Sequence, residues 1–317
     1  MQTIKLSKRQ LDNLVRYNVP SEVTNTEGII YYLKTGIKKI DKEDLLFKKL
    51  YVNHDYADEL SDEERKEDDY IYHSSSMSNK FYTISRLNDF QRSMNIEELV
   101  IPRHQVTFKG DVIGFTVPEI KESRSLQSIL EDSKVSSLEK VDYLKQVGET
   151  LKKINHLRLY DINFYIHDLH EGNILVTNRD KKIHFVDLDS ASFSTEHALP
   201  SKPLIVDKKL KNYSKYKFNR VDIPYPGVNQ DLYSYIIMIL KTLYNGDITK
   251  LSKEELDEYL AYLSSLGFNQ DLLWSFSLIY SDTPNVNPVD YLDGLSISQI
   301  AQSSNIVFKV KKEKKLI

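Results

Sequence analysis

The sequence predicts an α+β fold, with a strand-rich first third followed by a mainly helical remainder. Three observations point that way. Short β-branched and aromatic runs bounded by turn residues recur before Pro118. Beyond it, Leu138, Val141, Leu144, Val147, Leu151 and Ile154 recur at steps of three and four, the stripe of a helix with one buried face. Further on, the apolar segment 231–244 reads as a buried helix, and helical patterns continue to about residue 300.

Each element has its own signal. Gly28-Ile29-Ile30-Tyr31-Tyr32-Leu33 reads as a strand, Lys34-Thr35-Gly36 as a turn and Ile37-Lys38-Lys39-Ile40 as the returning strand of a hairpin. Residues 41–50 fit a strand or a helix. Segment 55–69 carries nine acids against Arg65 and Lys66, the composition of a solvated loop or exposed helix. Segment 78–92 is expected to be helical, with Phe81, Ile84, Leu87 and Phe90 at three-residue steps. Residues 105–109 and 112–117, parted by Gly110-Asp111, make a second hairpin. After the long helix come two short apolar strands, 174–176 and 183–186, with a polar turn at 177–181. Segment 190–229 has little periodicity and reads as a loop. The basic tail 309–315 is expected to be mobile.

Composition removes several function classes. With 40% hydrophobic and 28% charged residues, the 317-residue chain is neither disordered nor a membrane bundle. Lys+Arg (43) and Asp+Glu (46) nearly cancel, so charge gives no support for nucleic-acid binding. The absence of cysteine excludes disulfides, thiolate metal sites and cysteine nucleophiles. The ten glycines are so placed that neither G-x-G-x-x-G nor a P-loop signature occurs. The start, Met1-Gln2-Thr3-Ile4-Lys5, has no apolar stretch of signal-peptide length, and the longest aliphatic run, 236–240, is far too short to span a membrane. A cytoplasmic location is expected.

The chemistry gathers in Ile166-His167-Asp168-Leu169-His170-Glu171-Gly172-Asn173, just before the first short strand, and in Val186-Asp187-Leu188-Asp189, just after the second. A short hairpin brings its ends together, so Asn173 and Asp187 are expected to converge on one divalent cation. An amide oxygen and a carboxylate are hard ligands that suit Mg²⁺. Asp168, on the same loop as Asn173, is placed to accept a proton from a hydroxyl.

Asp168-x4-Asn173 followed by Asp187 after a strand pair resembles the catalytic loop and metal-binding Asp of the protein-kinase-like superfamily, in particular its atypical bacterial Ser/Thr members. The resemblance covers roughly residues 20–290. It implies a two-lobed fold: a small antiparallel-sheet lobe (1–118), a mainly helical lobe (119–300) and a basic tail (301–317). It also implies ATP and Mg²⁺ as cofactors, Asp168 as catalytic base, and Asn173 and Asp187 as Mg²⁺ ligands. Gly28 is then the remnant of a phosphate-covering loop. Ile37-Lys38-Lys39-Ile40 resembles the strand carrying the ATP lysine, which makes Lys38 the first candidate and Lys39 the second. Lys48 or Lys49 follows if residues 45–50 are that strand. Glu119 and Ile120 resemble the hinge whose backbone meets adenine, and Asp231 a brace of the catalytic loop.

Departures from the pattern are informative. The glycine loop is reduced to one residue. Ile166 and His167 stand for the His-Arg that usually precedes the catalytic Asp. His170, grouped with the nucleotide-binding positions, replaces a lysine. Asp187-Leu188-Asp189 replaces D-F-G, with Asp189 read as a turn residue in preference to a further metal-proximal carboxylate. Segment 78–92 offers no glutamate to pair with the lysine, only Asp89. Segment 187–231 has the length of an activation segment, with Ser190, Ser192, Ser194, Thr195, Tyr213 and Tyr216 as possible phosphorylation sites. The expected activity is phosphate transfer from ATP to a protein Ser or Thr. The alternatives are an aminoglycoside- or choline-kinase-like enzyme, favoured by His170, and a nucleotide-binding pseudokinase acting as an interaction module. The expected partners are ATP and a protein substrate or small acceptor, without nucleic acid or a membrane span.

Overall fold

A computed structural model describes residues 2–17, 28–37, 40–41, 44–50, 80–90, 96–160, 162–191, 193, 226–246, 248, 251–280 and 286–306. The expectations for the acidic segment 55–69, for Lys38 and Lys39, for most of segment 190–229 and for the tail 309–315 lie outside the described residues.

The chain is mixed α+β and divides into two compact units. The first comprises residues 1–123, 177–179 and 184–191, and the second 124–176, 180–183 and 192–317.

The first unit is built on a six-stranded sheet. Its elements are β1 (Gln2–Lys5), α1 (Lys8–Asp12), β2 (Val15–Arg16), β3 (Gly28–Tyr32), β4 (Leu45–Leu50), the helical residues 80–90 (α2), β5 (His104–Phe108) and β6 (Asp111–Pro118). The strand order is β1-β5-β6-β4-β3-β2. The sequence leads one to expect an antiparallel sheet. The observed sheet is mixed, because β1 runs parallel to β5, with Ile4 opposite Val106.

Two hairpins organise the sheet, and one differs from its expectation. β5 and β6 turn through Lys109 and Gly110, at φ +52° and +102°, the positive pair that a tight hairpin turn requires. β3 pairs with Leu45–Leu50, in place of the strand expected around Ile37 and Ile40. Ile37 and Ile40 belong to a turn, in which the Asp41 carboxylate accepts from the backbone of Thr35 at 2.7 Å and of Gly36 at 2.9 Å. Local side-chain to backbone bonds of this kind compete with strand pairing.

β4 is central and nearly continuously buried, which explains why it lacks alternation. Phe47 packs with Ile4, Leu6, Leu33 and Val106 on one face. Leu50 packs with Ile84 of α2 and Phe115 of β6 on the other. Side chains alternate along a strand, so Lys48 shares the face of Leu50, and its backbone lies directly opposite Phe115. Gly114 makes this pairing possible: a Cβ there would fall 2.1 Å from the Lys48 carbonyl oxygen.

The second unit is mainly helical. Its helices are α3 (Leu126–Glu131), α4 (Ser137–His156), α5 (Pro226–Leu243), α6 (Lys253–Ser265), α7 (Gln270–Ser277) and α8 (Ile297–Ser303). α4 buries the expected stripe from Val141 to Ile154, while Leu138, in its first turn, remains exposed. α5 starts at Pro226, earlier than expected, and buries every residue from 230 to 240. Gly148 lets the two helices approach. A Cβ there would meet Tyr235 Oη at 2.3 Å, and that hydroxyl donates to the Leu144 carbonyl at 2.8 Å. β7 (Ser123–Ser125), β8 (Ile174–Thr177) and β9 (Ile183–Phe185) form a three-stranded sheet in that order. Among the described residues, no helix is long and apolar enough to cross a membrane.

Candidate active site

Among the described residues, the first unit brings four charged side chains together. Lys48 Nζ forms an ion pair with Asp187 Oδ1 and lies 3.2 Å from both carboxylate oxygens of Asp189. Lys80, at the start of the described α2 residues, reaches Asp189 Oδ2 at 3.1 Å. The Lys48 ammonium also sits 5.9 Å from the centre of the Phe115 ring. A charge taken from water into an apolar setting requires partners, and two cations facing two anions satisfy that requirement.

The two carboxylates differ. The Asp189 side chain is 1% exposed and that of Asp187 37%. Burial alone would raise the Asp189 carboxyl, but Lys48 and then Lys80 outweigh it and hold the group well below the ordinary range. Partial burial, and then the Asp189 charge, push the Asp187 carboxyl upward, with Lys48 pulling the other way. Asp187 has left-handed backbone angles, φ +61° and ψ +46°. Such a conformation costs about 1–3 kcal/mol outside glycine and collects at functional sites. It turns the chain from β9 into the helical turn Leu188–Ser190, which delivers both carboxylates to Lys48.

The second unit holds the loop of Asp168. Asn173 Nδ2 donates to Asp168 Oδ2 and to the Asp168 carbonyl, both at 3.1 Å. Between them, His170 Nδ1 accepts from the Gly172 amide at 3.1 Å and caps the turn Glu171–Asn173. A Cβ on Gly172 would press to 2.8 Å from that imidazole, so the close approach selects glycine. Lys241 pairs with Glu171 at 2.6 Å and ties the turn to α5.

The loop is fixed from below by α5. Asp231 accepts from the backbone of Ile166 and of His167, each at 2.9 Å. Gln230 Nε2 donates to the His167 carbonyl at 2.7 Å, while its Oε1 lies 3.3 Å from His167 Nδ1. With Gln230 Nε2 committed to that carbonyl, its Oε1 suits a protonated Nδ1 on His167. Burial pushes this imidazole down to about 4, with Gln230 opposing. Burial likewise pushes the Asp231 carboxyl up to about 7 against its two amide donors. Among the described residues of this unit, His167 at φ +62° and Lys181 at φ +57° are the non-glycine residues in left-handed backbone.

The sequence-predicted residues are thus distributed as follows. Asp168, Asn173 and His170 share one loop, and Asp231 braces it. Asp187 meets a lysine, and that lysine is Lys48; Lys38 and Lys39 lie outside the described residues. Lys49 points to the opposite face from Lys48. Gly28 begins β3, opposite Leu50. At the expected hinge, the Glu119 amide donates to the Asp44 carbonyl at 2.9 Å, and the Ile120 carbonyl accepts from Ser123 Oγ at 2.7 Å.

Two residues escaped the sequence reading. Asp189 does stand in a turn, but its carboxylate is a buried partner of Lys48. Lys80 has no motif; its one signal is spacing, four and seven residues before Ile84 and Leu87, which puts a charge on the apolar stripe of α2. Compared with known proteins, the chain matches no family model, and no curated protein is similar to it.

Proposed function

We propose that the chain is an ATP- and Mg²⁺-dependent phosphotransferase with a two-lobed, protein-kinase-like fold and a hydroxyl acceptor, a Ser or Thr of a protein. The observation that carries this reading is the ion pair of Lys48 with Asp187. It pairs a lysine of a central strand with the carboxylate that the motif assigns to the metal.

Phosphoryl transfer requires positioning, charge neutralisation and a proton acceptor. Lys48 supplies positive charge for the phosphates. Asp168 is the base, its carboxylate oriented by Asn173. The acceptor oxygen bonds to the γ-phosphorus as the bond to the β–γ bridging oxygen breaks. ADP leaves, and the hydroxyl proton passes to Asp168. Asp231 keeps the loop backbone in place throughout.

Mg²⁺ is usually held by one or two protein oxygens, with water and phosphate completing its shell. Asp187 in the first unit and Asn173 in the second are the proposed donors, each offering a hard oxygen within its own unit. The Asp187 carboxylate is partly open, and the Asn173 amide nitrogen is engaged by Asp168, which leaves its amide oxygen as the hard donor. When bound, the ion neutralises charge on the phosphates.

A second reading, nucleotide binding without transfer, is favoured by the engagement of Lys48 with two carboxylates. Incubation with γ-labelled ATP and Mg²⁺ separates the readings. Label on the chain itself or on added protein is the expected result. Label only on small metabolites of a cell extract moves the acceptor to a small molecule. Nucleotide binding with no transfer supports the second reading, and neither binding nor transfer ends the proposal.

A further inference from the structure

The buried cluster assigns different work to its two carboxylates. Asp187 is partly open to solvent, whereas Asp189 is enclosed and bonded to both lysines. We propose that Asp189 is a positioning residue: it holds the Lys48 ammonium from behind and fastens it, through Lys80, to helix α2.

Geometry carries this. Both Asp189 oxygens lie at 3.2 Å from Lys48 Nζ, so the ammonium is held symmetrically by a group that cannot swing into water. Lys48 alone would face two negative charges. Among the described residues, Lys80 brings a second cation to Asp189, which offsets the cost of burying that carboxylate at full depth. The contact from α2 is double: one turn after Lys80, Thr83 Oγ1 donates to the Ala191 carbonyl at 3.0 Å. Two side chains on one face of α2 therefore grip the short segment that carries Asp187 and Asp189.

The consequence is a division by environment. Asp189 sets where the ammonium stands, and Asp187 remains the carboxylate that faces incoming ligand. Segment 78–92 contains no glutamate, and it supplies a cation instead, with the anion coming from the turn after β9.

This assignment rests on the phosphotransferase reading, and the test separates the two. Initial rates of ATP-dependent transfer are measured on the full chain, together with thermal melting, for wild type, Asp189→Asn, Lys80→Met and Lys80→Arg. Met matches the length and apolar stem of lysine, so Lys80→Met probes the charge with little change of packing. Loss of an orienting partner is expected to raise the KM for ATP and lower kcat by about 10- to 100-fold in Asp189→Asn. Lys80→Met is expected to follow in the same direction, and Lys80→Arg to retain wild-type behaviour. A merely structural role would lower the melting temperature and leave the KM of the folded protein unchanged, and that result overturns the assignment. So does a folded Lys80→Met with wild-type KM and kcat, whatever becomes of Asp189→Asn. A wild-type chain that neither binds nor transfers from ATP overturns the functional reading, and this assignment with it.

Discussion

Lys48 and Asp187 are 139 residues apart in the chain and form an ion pair within one compact unit. The lysine sits mid-strand on a buried face, with Phe115 directly opposite. The aspartate comes from a left-handed turn at the end of another strand.

In the proposed reading, that pairing makes Lys48, and not Lys38 or Lys39, the nucleotide-binding lysine. Lys48→Met is expected to abolish ATP-dependent transfer, whereas Lys38→Ala and Lys39→Ala are expected to retain it. Rates for the three variants check this directly. Removing Lys48 also leaves Asp189 short of a cation, so the melting temperature should fall as well. Breaking a buried pair costs about 3–5 kcal/mol.

Gly114 links the sheet to the same lysine. A methyl group at this position meets the Lys48 carbonyl at 2.1 Å, a backbone atom that cannot rotate away. Gly114→Ala is expected to destabilise the protein by about 1–3 kcal/mol. Urea unfolding measures the loss. ATP affinity should fall with it, since the strand must shift where Lys48 is attached.

Asp231 supports the Asp168 loop. Asp231→Ala leaves the amides of Ile166 and His167 without their acceptor in a buried setting. Each such loss costs about 1–3 kcal/mol. Lower stability and a reduced kcat are expected, measured by denaturation and by initial rates.

Acid should act through His167. Its imidazole is at about 4 in the folded chain against an ordinary 6.5. Above 6.5 both folded and unfolded states are neutral at this group. Between 6.5 and about 4 the unfolded chain takes up a proton that the folded chain refuses, so stability falls, by about 3 kcal/mol in all. Asp231 has the opposite sign, because its raised carboxyl favours protonation in the folded state. The two largely offset each other, so the clear signal is a difference. Wild type should lose about 3 kcal/mol relative to His167→Gln between pH 6.5 and 4, as read from denaturant midpoints.

The sequence carried some elements plainly and hid others for physical reasons. The stripe from Val141 to Ile154 and the turn at Lys109-Gly110 announce α4 and the β5–β6 hairpin, because both signals are local. Leu45–Leu50 was ambiguous because a strand buried on both faces has no alternation to read. Ile37 and Ile40 looked like a strand, but the Asp41 carboxylate binds the preceding backbone into a turn. The parallel partnership of Gln2–Lys5 with β5 has no sequence mark, since nothing local states which edge a short strand joins. Within the candidate site, Asp168, Asn173 and Asp187 stand out in the sequence through the resemblance of their motif and its context, and their proposed roles await the test below. Asp189 and Lys80 do not stand out, because their roles exist only where distant segments meet.

The central claim is that this chain transfers phosphate from ATP using Asp168 and Asp187. The most direct measurement is γ-phosphate transfer by wild type, Asp168→Ala and Asp187→Ala under identical conditions with Mg²⁺. The account predicts transfer by wild type, its loss in both variants, and retention of ATP binding in folded Asp168→Ala. Equal transfer by all three proteins, or none by wild type with any acceptor, would contradict it.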